Sequence, residues 1–416
     1  MSGNRLSSGL RTASAIFAVA LFVCNMWAAP WGRENVLHSF TNNGEDGYDL
    51  LGSLTFDSAG NLYGTTEVGG TGGFGTVFEL TPKAGVGWTE KVLHNFNNGP
   101  GGTEPTGGVI FDARGNLYGT TQLGGNPTCG CGTVFELTPA AGGTWQWRVL
   151  HNFNGTDGAE PYANLSFDRF GNLYGTTFQG GAYIVGTVFE LTPEPGGIWK
   201  EKVLHNFDYH GEDGFYPAGP VVIDSAGNLY GMTANGGTYG VGTVFKLTHK
   251  ANGGWAEKIL HSFVRDGRDG YGAFGGLVIS RGNLYGTTPA GGTYGDGTVI
   301  ELTPTASGAW AEKVLHNFNH NGKGGDGPSA DLILDAPGNL YGTTYAGGAY
   351  DYGVAFELSP NPSRGWVENV LHSFNGNDGR NPDASLIFDH AGNLYGTTEF
   401  GGRNGLNGGT VFEIEH

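Results

Sequence analysis

Short apolar runs recur along the whole chain, and each ends in a cluster of glycine, asparagine or aspartate. Runs this short, bounded by turn formers, read as strands and not as helices. In the first unit the pattern predicts strand A over residues 53–56, strand B over 62–66, strand C over 76–81 and strand D over 88–96. Asp57-Ser-Ala-Gly60 is a tight turn between A and B, which Asn61 is suited to close. A glycine-rich loop (67–75) joins B to C, residues 82–87 turn C into D, and a polar loop (97–106) leads to the next strand A. Strands C and D read as apolar on both faces, as expected of sheets sandwiched between neighbours. Gly64 interrupts strand B, where glycine permits close approach of another sheet or a large aromatic ring.

The unit repeats. Gly-Asn-Leu-Tyr-Gly occurs seven times, with its asparagine at Asn61, Asn116, Asn172, Asn228, Asn283, Asn339 and Asn393. Four antiparallel strands per ~55 residues fit a propeller blade. The chain opens with a lone strand D, Val36-Leu-His-Ser-Phe40, and ends with a strand C, Gly409-Thr-Val-Phe-Glu-Ile414, that no D follows. A ring resolves this, whereas an open solenoid would need capping repeats. The expectation is an all-β protein: a seven-bladed β-propeller of four-stranded antiparallel blades, closed when the N-terminal strand completes the last blade.

Composition supports that reading. Of 416 residues 79 are glycine, which argues against helices. Apolar residues make up 38% and charged residues only 14%, which argues against disorder. Against 21 Lys and Arg stand 39 Asp and Glu, a net charge of −18. Such a chain repels phosphate backbones, so nucleic acid is excluded as a partner, while cations, neutral glycans and basic proteins stay open. Arg5, Arg11, an apolar run over 15–23 and the small pair Ala28-Ala29 read as a signal peptide over 1–29. Residues 30–416 are then one propeller domain, exported to the periplasm or beyond, without a membrane span and monomeric.

Asp-x-x-Gly-Asn-Leu-Tyr-Gly-Thr-Thr, Gly-Gly, Gly-Thr-Val-Phe-Glu-Leu-Thr-Pro and Val-Leu-His-Asn-Phe resemble the tandem repeats of the choice-of-anchor, GloVer-type proteins of bacteria. The order of Gly-Gly, Phe-x-Leu and Trp is also similar to kelch repeats, and Asp-x-x-Gly-Asn-Leu-Tyr to NHL and gluconolactonase-like propellers. The resemblance implies an exported propeller and leaves its activity undefined.

Candidate chemistry is sparse. Seven histidines occupy matched positions in strand D, from His38 and His94 to His372. On separate blades they cannot share one ion, so an inter-blade hydrogen bond is expected and no metal site. Glu79 and its strand C equivalents, replaced by Lys246 in blade four, read as cross-strand partners, and Asp57 and its equivalents as turn residues. Cys129-Gly-Cys131 is a disulfide candidate, with free thiols as the alternative. The B–C loops place Tyr183, Tyr239, Tyr294 and Tyr350 two residues after a Gly-Gly pair. The D–A loops at the same end carry Asp157, Asp213, Asp269 and Asp326, each before glycine. Aromatic platforms beside carboxylates suit sugar rings, so these eight residues are the candidate ligand site, with a glycan or other surface polymer as ligand. No catalytic residue and no cofactor is assigned, and nothing supports calcium. Nearly identical blades favour repeated recognition or scaffolding. The competing readings are a secreted glycan hydrolase or lyase using acids on the loop face, and a structural cell-surface protein.

Overall fold

The structure is a computed structural model that describes residues 32–416 except 42, 86 and 406. The leader expected over 1–29 lies outside the described residues. Seven four-stranded antiparallel sheets follow one another, and together they form a seven-bladed β-propeller. Blade one runs Thr55–Phe56, Leu62–Thr66, Thr76–Lys83 and Gly87–Asn95, and the later blades repeat it. Blade seven is completed from the other end of the chain. Glu34–Ser39 pairs antiparallel with Thr410–Ile414, with Glu34 opposite Ile414 and Ser39 opposite Thr410.

Strand C is buried on both faces, but strand D is not. Along Gly87–Asn95 exposed residues alternate with half-buried ones, because D is the outer strand of its blade and its rim side meets water. The D strand also carries a β-bulge. Val77 pairs with His94 while its neighbour Phe78 pairs with Val92, which leaves Leu93 extra. Cross-strand partners share a face, so the bulge sends Val92 and His94 to opposite faces although they lie two apart. The same shift recurs in the other blades, for instance between Val188 and Phe189.

Two contacts tie blade to blade. The phenylalanine ending strand D packs on the phenylalanine of the next strand C, as in Phe96–Phe135 at 5.3 Å and Phe40–Phe78 at 5.0 Å between ring centroids. All four rings are fully buried. Near the axis, Thr65 Oγ1 donates to the Gly107 carbonyl at 2.9 Å, and Thr397 Oγ1 to that of Gly52 at 3.4 Å, across the closure. Inside the blade, Tyr63 Oη donates to Asp57 and Glu79 at 3.1 and 3.0 Å. The Asp57 carboxylate also accepts the Ala59 and Asn61 N–H groups, which explains why the A–B turn motif repeats.

Gly64 has a packing role. A Cβ there would stand 2.6 Å from Phe78 Cζ and 3.0 Å from a Leu54 methyl. Gly64→Ala is therefore expected to cost about 1–3 kcal/mol by overpacking, read as a lowered midpoint in chemical denaturation. Deleting residues 33–40 should remove the closing strand and lower the thermal midpoint far more. An unchanged melt would show that the ring does not depend on that ladder.

Candidate functional site

After strand D the chain crosses the blade end toward the axis before entering the next strand A. The left-handed residue on this path is fixed by backbone bonds on both sides. Glu104 N donates to the Phe74 carbonyl of the preceding blade at 3.0 Å, and its own carbonyl accepts from Gln122 N at 2.9 Å. Asp49, Glu104, Glu160, Tyr216 and Asn381 hold φ between 55° and 62° at this matched position, and Gly272 and Gly327 take it in the other two blades. A left-handed conformation costs a non-glycine residue roughly 1–2 kcal/mol, so those five side chains stay at a conformational cost.

Two residues further on, the seven segments converge on an axial cavity of about 430 Å³. Leu51, Thr106, Tyr162, Ala218, Phe274, Ser329 and Asp383, one from each blade, all line it. A deeper ring adds Ser53, Asn164, Pro220, Asp331 and Ser385. Between the two rings stand glycine or alanine, Ala163 and Gly219 among them, which keep the lumen open. Neighbouring blades are stitched around the wall: Gly108 N donates to Asn164 Oδ1 at 2.5 Å and Asp331 N to Ser385 Oγ at 3.2 Å. Ser329 donates to the Asp383 carboxylate, and Gly276 N to that of Asp331.

The residue just after strand B diverges in the same way: Glu67, Gln122, Phe178, Ala234, Pro289, Tyr345 and Glu399. Pro289 and Tyr345 line the cavity. Phe178 stacks on Tyr216 at 4.9 Å. The strands repeat nearly letter for letter, while the seven residues of the first axial ring, from Leu51 to Asp383, are all of different types. A cavity of this size with convergent polar groups matches small-molecule sites, which run from ~300 to ~1,000 Å³.

Its electrostatics are lopsided. Burial pushes the Glu67 carboxyl up to about 7, and the charges of Glu104 and Asp49 add to the rise. Burial also raises Glu399 to about 7, with Asp383 as the next cause, while a hydrogen bond from Tyr345 opposes them. Tyr162 rises to about 12 through burial and the charges of Asp383, Glu67 and Glu399. Asp331 and Asp383 are raised by crowding protein atoms, although both keep a face on the cavity. The acids come mainly from blades seven, one and two, and the rings from blades three, five and six.

Comparison with known proteins decides the family. The Gloeobacter/Verrucomicrobia repeat matches residues 27–231 and 217–416. The chain belongs to the Gloeobacter/Verrucomicrobia repeat family. No curated protein sequence matches it. Among solved structures, the extracellular domain of a hybrid two component system from B. thetaiotaomicron matches with a TM-score of 0.53 and 12% identity over 90% of this chain. That match spans 39% of the longer chain. A glucose dehydrogenase matches at TM-score 0.43 and 12% identity, covering 92% of this chain and 100% of its own. A luciferin-regenerating enzyme matches at 0.42 and 14%, covering 74% and 90%. The first likeness shows the propeller fold alone, and the two enzymes bear on nothing further.

In this Gloeobacter/Verrucomicrobia repeat protein the loop-face residues fall into two groups. Tyr183, Tyr239, Tyr294 and Tyr350 are exposed at 45–59%. None of the four lines the axial cavity. The aspartates sit lower and already have partners. Asp157, Asp213 and Asp269 each accept a backbone N–H at the start of their own D–A loop and lie against the histidine that ends strand D. Asp326 stands elsewhere. It pairs with Ala346 in a short ladder where blade one pairs Tyr48 with Val68, so the equivalent of Asp269 in blade six is Gly324. Asp326 meets the exposed His320 at 2.8 Å instead. Cys129 and Cys131 are joined by a disulfide, and Cys131 is buried against Phe153. The matched histidines do not converge. Each faces the next blade, as in His205–Glu257 at 3.5 Å and His316–Glu368 at 3.4 Å. Blade two departs: His94 stacks on Trp147. Sequence reading passed over the axial residues because it weighed what the repeats share, whereas the signal lay in where they differ.

The raised acids just after strand B give a pH dependence. Glu67 and Glu399 have folded values near 7 against an ordinary 4.5, so the folded state holds the protons more tightly. Their contribution to stability is present below ~4.5 and lost as pH rises through ~7. The double variant Glu67→Gln/Glu399→Gln is expected to gain thermal midpoint relative to the parent as pH rises from about 5 to about 8. Parallel curves for the two proteins would refute the assignment.

Proposed function

We propose that this protein is an exported recognition module that holds a saccharide in the axial cavity. One observation carries the reading: seven near-identical blades present seven different residues at their matched axial position, from Leu51 to Asp383. Tyr162, Phe274 and Tyr345 offer ring faces for the apolar side of a sugar, and Asp331 and Asp383 accept from its hydroxyls. A net charge of −18 favours neutral or cationic glycans over anionic ones. The rim tyrosines, exposed on adjacent blades, give a longer polymer further rings to lie on. The leader-like residues 1–29 support export.

A second reading has its own support. Glu399, with a pKa near 7 beside Tyr345, is partly protonated at neutral pH, as a general acid for glycoside hydrolysis must be.

A panel of neutral and amino-sugar oligosaccharides, followed by calorimetry, tests both. Tyr162→Ala and Phe274→Ala are each expected to weaken binding ~5-fold, from about 1 kcal/mol of stacking per ring, with the thermal midpoint nearly unchanged. Removing Tyr183 and Tyr239 together should weaken only longer oligomers. Binding that ignores Tyr162 and Phe274 would displace the site from the axis, and product release abolished by Glu399→Gln would favour the hydrolase.

A further inference from the structure

The loop end of each blade interface holds a second constellation, separate from the axis. A histidine from strand D, the aspartate of the following loop and a glutamate from the next blade's strand D meet there. Among the described residues four sets draw together, His151–Asp157–Glu201, His205–Asp213–Glu257, His261–Asp269–Glu312 and His372–Asp378–Glu34, with the ligand atoms of each set within 4.8 Å of one another; a fifth, His38–Asp46–Glu90, has the same residue types in a more open arrangement. The His–Asp contacts are hydrogen bonds, a few tenths of an ångström shorter than the spacing of ligands around one ion. His Nε2 stands 2.9–3.2 Å from the aspartate oxygen in all four sets. His205 Nε2 stands 3.5 Å from Glu257. Ligands ~2.0–2.2 Å from a tetrahedral zinc ion are themselves ~3.3–3.6 Å apart.

The carboxylates also carry unused acceptors. Asp269 is 6% exposed, and its Oδ2 accepts from Val264 N while its Oδ1 is buried without a hydrogen-bond partner. The buried Oε1 atoms of Glu34, Glu201 and Glu312 have no hydrogen-bond partner either. Buried oxygens left this way cost about 1–3 kcal/mol each unless something satisfies them.

At the interface with blade two both carboxylates are replaced while His94 stays, whereas in blade six only the aspartate is replaced, by Gly324, and His316 stays 3.4 Å from Glu368. Gly101 stands where the aspartate would be, and Trp147 stands where the glutamate would be. The Trp147 indole lies against His94, and a Cβ on Gly101 would meet Trp147 Cη2 at 2.8 Å. The indole therefore occupies the space the two carboxylates take elsewhere.

We propose that the four close sets are binding sites for a divalent transition-metal ion of the zinc class. One imidazole and two carboxylates supply three ligands and water the fourth, so that each ion clamps two adjacent blades. Imidazole with carboxylate suits zinc, and calcium is disfavoured because it takes six to eight oxygens. The histidines keep about a fifth of their surface open, which gives the ion an entry path.

The test is a metal count on the tag-free full chain, stripped with chelator, titrated with zinc by calorimetry and assayed for bound metal after gel filtration. Four zinc ions per chain are expected, one per close set, with a thermal midpoint that rises as zinc is added. Glu312→Gln and Glu201→Gln, at separate interfaces, should each lower the count by one. Gly101→Asp with Trp147→Glu should rebuild the set in blade two and raise it by one. No bound zinc, with a melt indifferent to it, would mean that the carboxylates share protons instead and would overturn the proposal. So would a count that neither glutamate variant changes, since zinc would then sit on exposed histidines.

Discussion

Everything in this molecule depends on one antiparallel ladder, the pairing of Glu34–Ser39 with Thr410–Ile414. A propeller blade cannot bury both of its faces alone, so each one needs two neighbours. The ladder supplies the last neighbour and converts a row of blades into a ring. The phenylalanine belt then has no free end: Phe40 packs on Phe78 as Phe96 packs on Phe135. Ring closure also creates the axis, and with it a cavity to which seven separate segments contribute.

Repetition and function pull the sequence in opposite directions. Interfaces between equivalent blades favour equivalent residues, so the strand B threonines, the glycine under Phe78 and the bulge before His94 recur. Where this rule is broken, a local cause is visible. Met232 replaces the threonine in blade four and packs against Gly286 of the next blade. Lys246 replaces the strand C glutamate and lies over the Tyr230 ring at 5.1 Å. Blade five shortens its A–B turn, and Asn283 then reaches Glu301 at 2.8 Å. Around the axis Ser329 donates to the Asp383 carboxylate, and Leu51, Tyr162 and Phe274 line the lumen.

Carboxyl groups are handled in two ways. Asp57 and its equivalents are surrounded by donors, and the hydrogen bonds of Asn61, Ala59 and Tyr63 hold its carboxyl below the usual range in spite of burial. The acids at the axis and at the blade interfaces have fewer donors than lone pairs. Such groups hold a proton, or they take a ligand that supplies positive charge or hydroxyl hydrogens. That imbalance, and not the number of acids, separates the chemistry-bearing carboxyls from those that only shape turns.

The amino-acid pattern by itself determined the blade count, the strand order and the closure, because seven copies of a four-strand motif with a displaced strand D admit one ring. Strand B was legible to the residue, at Leu62–Thr66, since its apolar run has sharp glycine and asparagine borders. Strand A was not. It spans only Thr55–Phe56, because Ser53 already belongs to the axial wall, and no local pattern marks that boundary. Register was hidden as well: Asp326 precedes a glycine as Asp269 does, yet only the ladder Gly325–Gly347 shows that Gly324 holds the matching place. Which side chains face the axis, and which histidine meets which glutamate, was decided by the tertiary structure. Both depend on residues about 55 positions apart in neighbouring blades, and a linear pattern carries no record of that distance once the ring has closed.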